Sequence, residues 1–212
     1  MFDSGISVKN LIKELKETEV DIALDIPTAT YVSWLNSLQQ LLYSEVIREK
    51  RRFELSRQKS GVVSISSIKP KENEAEPRFE DIYAIYGKGE DYDVQLIKTN
   101  LASGSIFPDS FFKDGNDIGI NVGDGVTNLT IIYNVRPKLI GTDTDENDEL
   151  TDENVKVMLP VEFIDLAKAK LRGEAYKLAN EDGIAAKWLN DYNVHVETFK
   201  NWLSGKATNF GI

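Results

Sequence analysis

The chain has 212 residues, 41% hydrophobic and 28% charged, an ordinary globular composition with enough length for one large domain or two small ones. The absence of cysteine excludes disulfide scaffolds, cysteine-ligated metal sites and thiol nucleophiles, and the single histidine excludes multi-histidine metal sites. The formal net charge of −10 argues against wrapping nucleic acid, because binding to phosphates requires lysine and arginine to release counterions.

The negative charge lies in the middle of the chain. Residues 1–60 and 161–212 each carry equal numbers of acidic and basic side chains, whereas residues 61–138 carry eight basic and twelve acidic ones. Residues 139–160 carry seven acidic side chains and one lysine. The two ends are therefore charge-balanced and the centre is acidic.

The sequence contains no pattern typical of membrane or secretory targeting. Residues 1–10 lack a basic segment followed by an apolar run, and no stretch approaches the roughly 18 consecutive apolar residues that a spanning helix needs. We therefore expect a soluble protein that does not contact a membrane.

Two amphipathic helices are predicted near the start of the chain. Ser7 is placed to cap the first, in which apolar residues recur at helical spacing from Val8 to Leu15. The second opens at Thr28 or Thr30 and ends in the basic cluster at 48–52. We interpret that cluster as a solvated helix end whose cations complement the helix dipole, with phosphate binding as the alternative.

From Gly61 the hydrophobic period becomes that of strands. Strands are predicted around residues 62–68, 79–86 and 92–98. Residues 117–122 and 129–135 are predicted to form a hairpin across the turn Gly123-Asp124-Gly125.

Helices return after residues 141–154 (GTDTDENDELTDEN), an acidic stretch with almost nothing apolar to bury. Pro160 suits the first turn of a helix, and apolar stripes run from Phe163 to Leu178 and from Ala185 to Leu203. The short turn between the two stripes predicts an antiparallel helix hairpin.

These elements predict an α+β fold. Helix pairs from residues 1–60 and 155–212 are expected to form an antiparallel helical bundle, since each amphipathic helix needs a partner for its apolar stripe. Residues 61–140 are expected to form an inserted antiparallel β-rich domain, and residues 141–154 an acidic linker.

No motif in the sequence predicts catalysis, a metal site or a cofactor. Asp143, Asp145 and Asn147 have the spacing of the first EF-hand ligands, but Asp148 stands where that loop needs glycine and Asn154 where it needs glutamate. His195 lies at the edge of an apolar stripe without a recognisable nucleophile. We therefore expect a non-enzymatic protein.

Three segments resemble a known family. They are WLNSLQQLLYSEVIREK (34–50), IIYNVRP (131–137) and LPVEFIDLAKAKLRGEAYKLANEDGIAAKWLNDYNVHVETFKNWL (159–203). In the last, an LP opens an alanine-rich helix, a short acidic ED turn follows, and a second helix ends near an aromatic residue. This pattern resembles the head–tail connector, or adaptor, proteins of tailed bacteriophages.

The resemblance implies a virion structural protein that forms a homo-oligomeric ring under the portal, in the neck, after assembly in the host cytoplasm. Its implied partners are the portal and tail proteins, and DNA passes through the ring without specific binding. Because carboxylates repel phosphates, we hypothesise that the acidic middle of the chain faces the channel or the tail side of the ring, particularly the segment 143–153. Its acidic residues are Asp143, Asp145, Glu146, Asp148, Glu149, Asp152 and Glu153. A second hypothesis assigns partner binding to the C-terminal tail through Lys206, Asn209 and Phe210.

Three other functions remain open at the level of sequence. One is a tail or baseplate component of the same class of virion. Another is a β-sandwich binding module on a helical stalk that recognises carbohydrate through exposed Tyr83, Tyr86 and Tyr92. An enzyme is the third, and it would require a pocket that brings His195 together with carboxylates.

Overall fold

A computed structural model describes residues 4–18, 25–56, 60–71, 74–89, 93–99, 108–123 and 125–209, with side chains described as far as Gly205. The chain divides into two compact units. The helical unit comprises Met1–Ile47 and Leu139–Ile212, and the strand unit comprises Arg48–Lys138.

The described residues of the helical unit form four α-helices: α1 (Val8–Thr18), α2 (Thr28–Leu41), α3 (Ile164–Leu178) and α4 (Asp182–Asn209). The predicted cap of α1 is present, since the backbone N–H of Asn10 donates to Ser7 Oγ at 3.1 Å. Helix α2 passes directly into a π-helical segment, Leu42–Ile47.

The apolar stripes of all four helices face one core. The core also takes buried side chains from the extended chain that precedes α3, namely Ile140, Leu150, Val157 and Leu159. Phe163, just before α3, lies 4.7 Å from Phe199 near the end of α4, measured between ring centroids. Gly173 in α3 lies against Leu189 in α4, so the two helices run antiparallel and form the predicted hairpin.

In the strand unit, the residues that the structure describes form a sheet of seven strands. They are β1 (Lys50–Ser56), β2 (Gly61–Val63), β3 (Ile82–Gly89), β4 (Asp93–Thr99), β5 (Ser110–Asp114), β6 (Asp117–Asn121) and β7 (Val126–Asn134). Their order in the sheet is β1-β7-β3-β4-β5-β6-β2. All neighbouring strands are antiparallel except β4 and β5, which are parallel.

Chain connectivity requires this sheet to curl. Strands β1 and β2 lie at opposite ends of the strand order, so in a flat sheet they would be about 29 Å apart at about 4.8 Å per strand spacing. Only residues 57–60 connect Ser56 to Gly61, and five Cα–Cα steps reach about 19 Å at most. The edge strands must therefore approach each other, and the sheet has the form of a half-barrel.

The predicted fold class is wrong, because the molecule is a mixed α/β structure rather than a helical bundle carrying an antiparallel β-rich domain. The helical part of that description fits in part, since four helices share a core. The sheet is not antiparallel throughout, because Ile97, Lys98 and Thr99 of β4 pair in parallel with Ser110, Phe111 and Phe112 of β5. Residues 100–109 connect these two strands.

The basic cluster at 48–52 is not a helix end. The helical segment stops at Ile47, Arg48 has a left-handed φ of 49°, and strand β1 starts at Lys50. Arg51 donates from Nε to the carboxylate of Glu74 at 3.1 Å, and the Glu74 side chain is only 2% exposed. Arg51 therefore forms an ion pair with a buried carboxylate, whereas a solvated helix end would leave its cations in solvent.

The predicted hairpin between residues 117–122 and 129–135 is also wrong. Strand β6 pairs with β5 and β2, whereas β7 pairs with β1 and β3. The hairpin forms one strand earlier, where Asp114 pairs with Asp117 across Gly115, whose φ is +60°. Glycine adopts that conformation without a steric penalty, so the tight turn forms at residues 114–117 instead.

Candidate functional site

The acidic segment folds as a loop of the helical unit, and we call residues 143–154 the strap. Thr144 and Leu150 form an isolated antiparallel bridge, and Leu150 is buried in the core. The Asp145 carboxylate accepts hydrogen bonds from the backbone N–H groups of Asn147 at 2.9 Å and Glu149 at 3.0 Å. These bonds stabilise the ionised carboxylate and hold the pKa of Asp145 below its usual value.

Asp148 attaches the strap to two helices. Its carboxylate accepts the backbone N–H of Thr28 at 2.8 Å and the Lys16 ammonium at 2.6 Å. Helix α2 has no capping side chain of its own at Pro27, so Asp148 satisfies a free N–H group at that helix start. Desolvation raises the pKa of Asp148, but the hydrogen bonds from Lys16 and Thr28 outweigh it and the net pKa is lowered.

A second lysine of α1 binds two further strap carboxylates. Lys9 Nζ lies 3.0 Å from Glu149 and 3.2 Å from Glu153, and these hydrogen bonds raise the pKa of Lys9. A pocket of about 240 Å³ lies between α1 and the strap, lined in part by Lys9, Lys13 and Lys16. Ion pairs between lysines of α1 and carboxylates of the strap therefore hold the strap against α1.

The seven hypothesised channel-facing residues therefore differ in what they contact. Asp148, Glu149 and Glu153 form ion pairs with α1, and Asp145 holds the loop together. The remaining three carboxylates are exposed and have no ion-pair partner within the described chain: Asp143, Glu146 and Asp152. Asp152 also accepts the backbone N–H of Asn154 at 3.0 Å, and all three carboxylates face solvent.

In the part of the chain that the structure describes, the strap carboxylates are not gathered into a metal-binding group. No group of three or more histidine or acidic side chains there is placed to hold an ion. The EF-hand spacing at Asp143, Asp145 and Asn147 instead produces the turn in which Asp145 accepts backbone N–H groups.

The other predicted residues lie on or beyond α4. His195 is half-buried on α4, and no hydrogen bond or ion pair joins its side chain to another described residue. Lys206 and Asn209 lie within the last turns of α4, beyond the described side chains, and Phe210 lies outside the described residues. The structure therefore does not bring His195 together with a carboxylate in the described part of the chain.

The solvent side of the sheet carries a second group of polar and aromatic residues. On this outer face Lys50 lies over the Tyr83 ring, with Nζ 3.2 Å from the ring centroid. The register of β3 against β7 shifts between Ile82 and Ala84, and such an irregularity turns a side chain out of the regular alternation. Tyr83 is accordingly 57% exposed.

A shallow pocket of about 300 Å³ lies beside these residues on the outer face. Its lining comprises Arg52, Tyr86, Gly87, Lys88, Asp93, Thr130 and Ile132. Arg52 is opposite Ile132 and Tyr86 is opposite Thr130 in the strand register, so the pocket crosses β1, β7 and β3. It combines an apolar floor with two cations, and we call it the outer-face pocket.

The carbohydrate-binding alternative depends on aromatic faces that a sugar can reach. Tyr86 is 37% exposed, but one face of Tyr83 is covered by Lys50, and Tyr92 lies outside the described residues. The described strands form one sheet, which is not the two-sheet sandwich of that alternative.

The outer-face pocket could not be predicted once the basic run at 48–52 was interpreted as a helix end. One signal for a strand was present: in KRRFELS (50–56), Phe53 and Leu55 alternate with the polar residues Arg52, Glu54 and Ser56 at the period of a strand. The alternation buries Phe53 and Leu55 in part and turns Arg52 outward.

Comparison with known protein families and with curated proteins finds no match to this chain. Among the described residues, no helix combines the length and apolar character needed to cross a membrane.

Proposed function

We propose that the protein is a non-enzymatic structural component of a tailed-phage virion, a head–tail connector that forms a ring under the portal. In this role its partners are the portal and tail proteins, and DNA passes through the ring without specific binding. The chain would be located in the neck of the virion after assembly in the host cytoplasm.

The observation that carries this proposal is the geometry of residues 159–203. Leu159 is buried, Pro160 precedes the first turn, and the chain reverses between α3 and α4 at Asn180, which has a left-handed φ of 61°. The aromatic end of α4 returns to the start of the hairpin, where the Trp202 ring lies 5.2 Å from the Phe163 ring. The features of residues 159–203 that resemble the connector family therefore each have a structural role in one helix hairpin.

The order of the two units along the chain also supports the proposal. The strand unit Arg48–Lys138 lies between the two parts of the helical unit. That arrangement agrees with the pattern of helix, strand block and helix hairpin on which the resemblance rests.

We further propose that the strap faces the DNA channel or the tail side of the ring. Asp143, Glu146 and Asp152 are exposed strap carboxylates that form no ion pair with a described residue, and such groups repeated around a ring repel phosphates. The repulsion would keep the duplex centred and allow it to leave the head without being held.

The test is the mass of the protein alone and with the portal protein of the same virion. We expect light scattering and native mass spectrometry to give a ring of many copies bound to the portal, whatever the mass of the isolated chain. Assembly on the partner raises the local concentration, so a monomer in isolation agrees with the proposal. A chain that stays monomeric and does not bind the portal contradicts it, and binding to purified tail proteins alone would favour a tail or baseplate role.

A further inference from the structure

We infer that neighbouring copies contact each other by docking the tip of the α3–α4 hairpin of one copy into the outer-face pocket of the next. This inference rests on the proposed function and names the contact between subunits of the proposed ring. The pocket, the tip and their complementary chemistry support it.

The outer-face pocket presents two cations to solvent. Arg52 and Lys88 are exposed, and neither forms an ion pair with another residue that the structure describes. Ile132 supplies an apolar floor and Tyr86 an exposed ring beside it. Asp93, directly opposite Lys88 in the strand register, is the one carboxylate in the lining. The pocket thus fits a group that is apolar and carries negative charge.

The tip of the hairpin, Leu178–Ile184, has that composition. Leu178 is 49% exposed and Ile184 is 42% exposed, so the tip offers two aliphatic side chains to a partner. Between them Glu181 and Asp182 are exposed, with no ion pair to any described residue, and the segment contains no basic residue. The nearest cations along the chain, Lys177 and Lys187, lie outside it.

The backbone of the tip is held in one conformation. The N–H of Glu181 donates to the carbonyl of Tyr176 at 2.9 Å, and that of Asn180 donates to the carbonyl of Lys177 at 3.1 Å. These bonds close the C-terminal end of α3 around the left-handed Asn180. The tip is therefore pre-organised, and docking it requires little loss of backbone freedom.

The two surfaces differ, so the contact between copies is heterologous. Each copy offers one tip and one pocket, and such contacts generate a ring when the rotation between subunits closes. A pocket of about 300 Å³ gives a small contact, so we expect weak association of the free chain. A portal that holds several copies side by side would raise the effective concentration.

Cysteine cross-linking tests the contact directly, because the chain has no cysteine of its own. We would mix the full-length variants Ile184→Cys and Thr130→Cys, one of them tagged, and oxidise them at high protein concentration with and without portal. We expect a mixed disulfide dimer that forms at least about ten times faster than in the control mixture of Glu197→Cys with Thr130→Cys. Glu197 is also exposed on α4 but lies away from the tip, with 67% of its side chain accessible.

Charge reversal supplies a second, independent readout. Arg52→Glu is expected to slow the mixed cross-link about tenfold, and Glu181→Arg on the opposite partner is expected to restore it. Lys69→Glu is the matched control, since Lys69 is an exposed cation of the strand unit outside the pocket. Circular dichroism of each variant would establish that the chain still folds.

The outcomes separate this inference from the proposed function. Rings on the portal combined with a cross-linking rate equal to that of the control overturn the inference and leave the connector role standing. A specific cross-link in a chain that never binds the portal supports the contact and contradicts the connector role. Failure of Glu181→Arg to restore cross-linking overturns the pairing of the tip with Arg52.

Discussion

Asp148 connects three segments of the helical unit, namely the strap, α1 and α2. Its carboxylate binds Lys16 and caps α2 at Thr28, and its carbonyl accepts the Thr28 hydroxyl at 2.5 Å. Its φ of 57° lies in the left-handed region, which aspartate and asparagine tolerate better than most residues. A negative charge at a helix start also interacts favourably with the helix dipole.

The lowered pKa of Asp148 makes its contribution depend on pH. A carboxylate whose folded pKa is depressed stabilises the fold above its unfolded pKa of about 3.9, and that contribution is lost as the pH falls through the folded pKa. Asp148→Asn keeps the backbone preference and the capping oxygen but removes the charge. Because the ion pair is partly exposed, we expect the free energy of unfolding at pH 7 to fall by about 0.5–1 kcal/mol.

Denaturant titration of both chains from pH 7 to pH 2 checks this prediction. The difference between wild type and Asp148→Asn should shrink as the pH falls through the lowered pKa of the wild-type carboxyl. Glu146→Gln is the control, since Glu146 is exposed on the same strap and unpaired among the described residues, and we expect a change within about 0.5 kcal/mol. Equal stability of wild type and Asp148→Asn at pH 7 would contradict the capping role.

At the scale of elements, the α3–α4 hairpin depends on a close approach of the two helices. A Cβ atom built on Gly173 would lie 2.7 Å from both Cγ and Cδ2 of Leu189, closer than such atoms can approach. Glycine at this position costs helix stability but allows the helices to touch.

Two glycine-to-alanine variants of the hairpin should change stability in opposite directions. Gly173→Ala gains up to about 1 kcal/mol in helix propensity but overpacks the contact by about 1–3 kcal/mol, so we expect a net loss of about 1 kcal/mol. Gly183, in the first turn of α4, has open space where a Cβ would lie, with nothing to meet within 4 Å, so Gly183→Ala should gain up to about 1 kcal/mol. Chemical denaturation measures both, and a stabilised Gly173→Ala variant would show that the helices can separate without cost.

At the scale of the whole molecule, the position of the negative charge matters as well as its amount. The net charge of −10 is compatible with many functions, but three of the exposed carboxylates lie together on the strap. Reversing their sign should convert a surface that repels DNA into one that binds it.

The variant Asp143→Lys, Glu146→Lys, Asp152→Lys tests that expectation. It moves the formal net charge from −10 to −4, as does the control Glu45→Lys, Glu54→Lys, Glu197→Lys, whose reversals lie on three separate elements. We expect duplex DNA to bind the strap variant about ten times more tightly than the control at low salt, with an affinity that falls as salt rises. Fluorescence anisotropy measures both, and equal affinities would mean that the strap is not a distinct electrostatic surface.

The helices could be predicted because the evidence for a helix is local. The cap at Ser7, the stripe of α1 and the short turn between α3 and α4 each lie within a few residues of one another. The strands at Lys50 and Ser110 were missed, since a basic run suits a helix end as well as an edge strand, and a five-residue strand has little periodicity.

The candidate site could be predicted only in part. The acidic residues of the strap are evident in the sequence, but their division into paired and free carboxylates depends on α1 and α2, which are more than 100 residues away. The outer-face pocket draws on β1, β3, β4 and β7, whose neighbours in the sheet are not neighbours in the chain. Local patterns carry no information on that pairing.

By itself, the sequence determined the helix hairpin at the end of the chain, the amphipathic helices at its start and the acidic middle, because hydrophobic period, turns and charge are properties of neighbouring residues. Only the tertiary structure decided the strand order, the parallel pairing of β4 with β5 and the partners of Asp148 and Arg51. Those features arise from contacts between distant segments, whose free energies depend on which surfaces meet once the chain is compact.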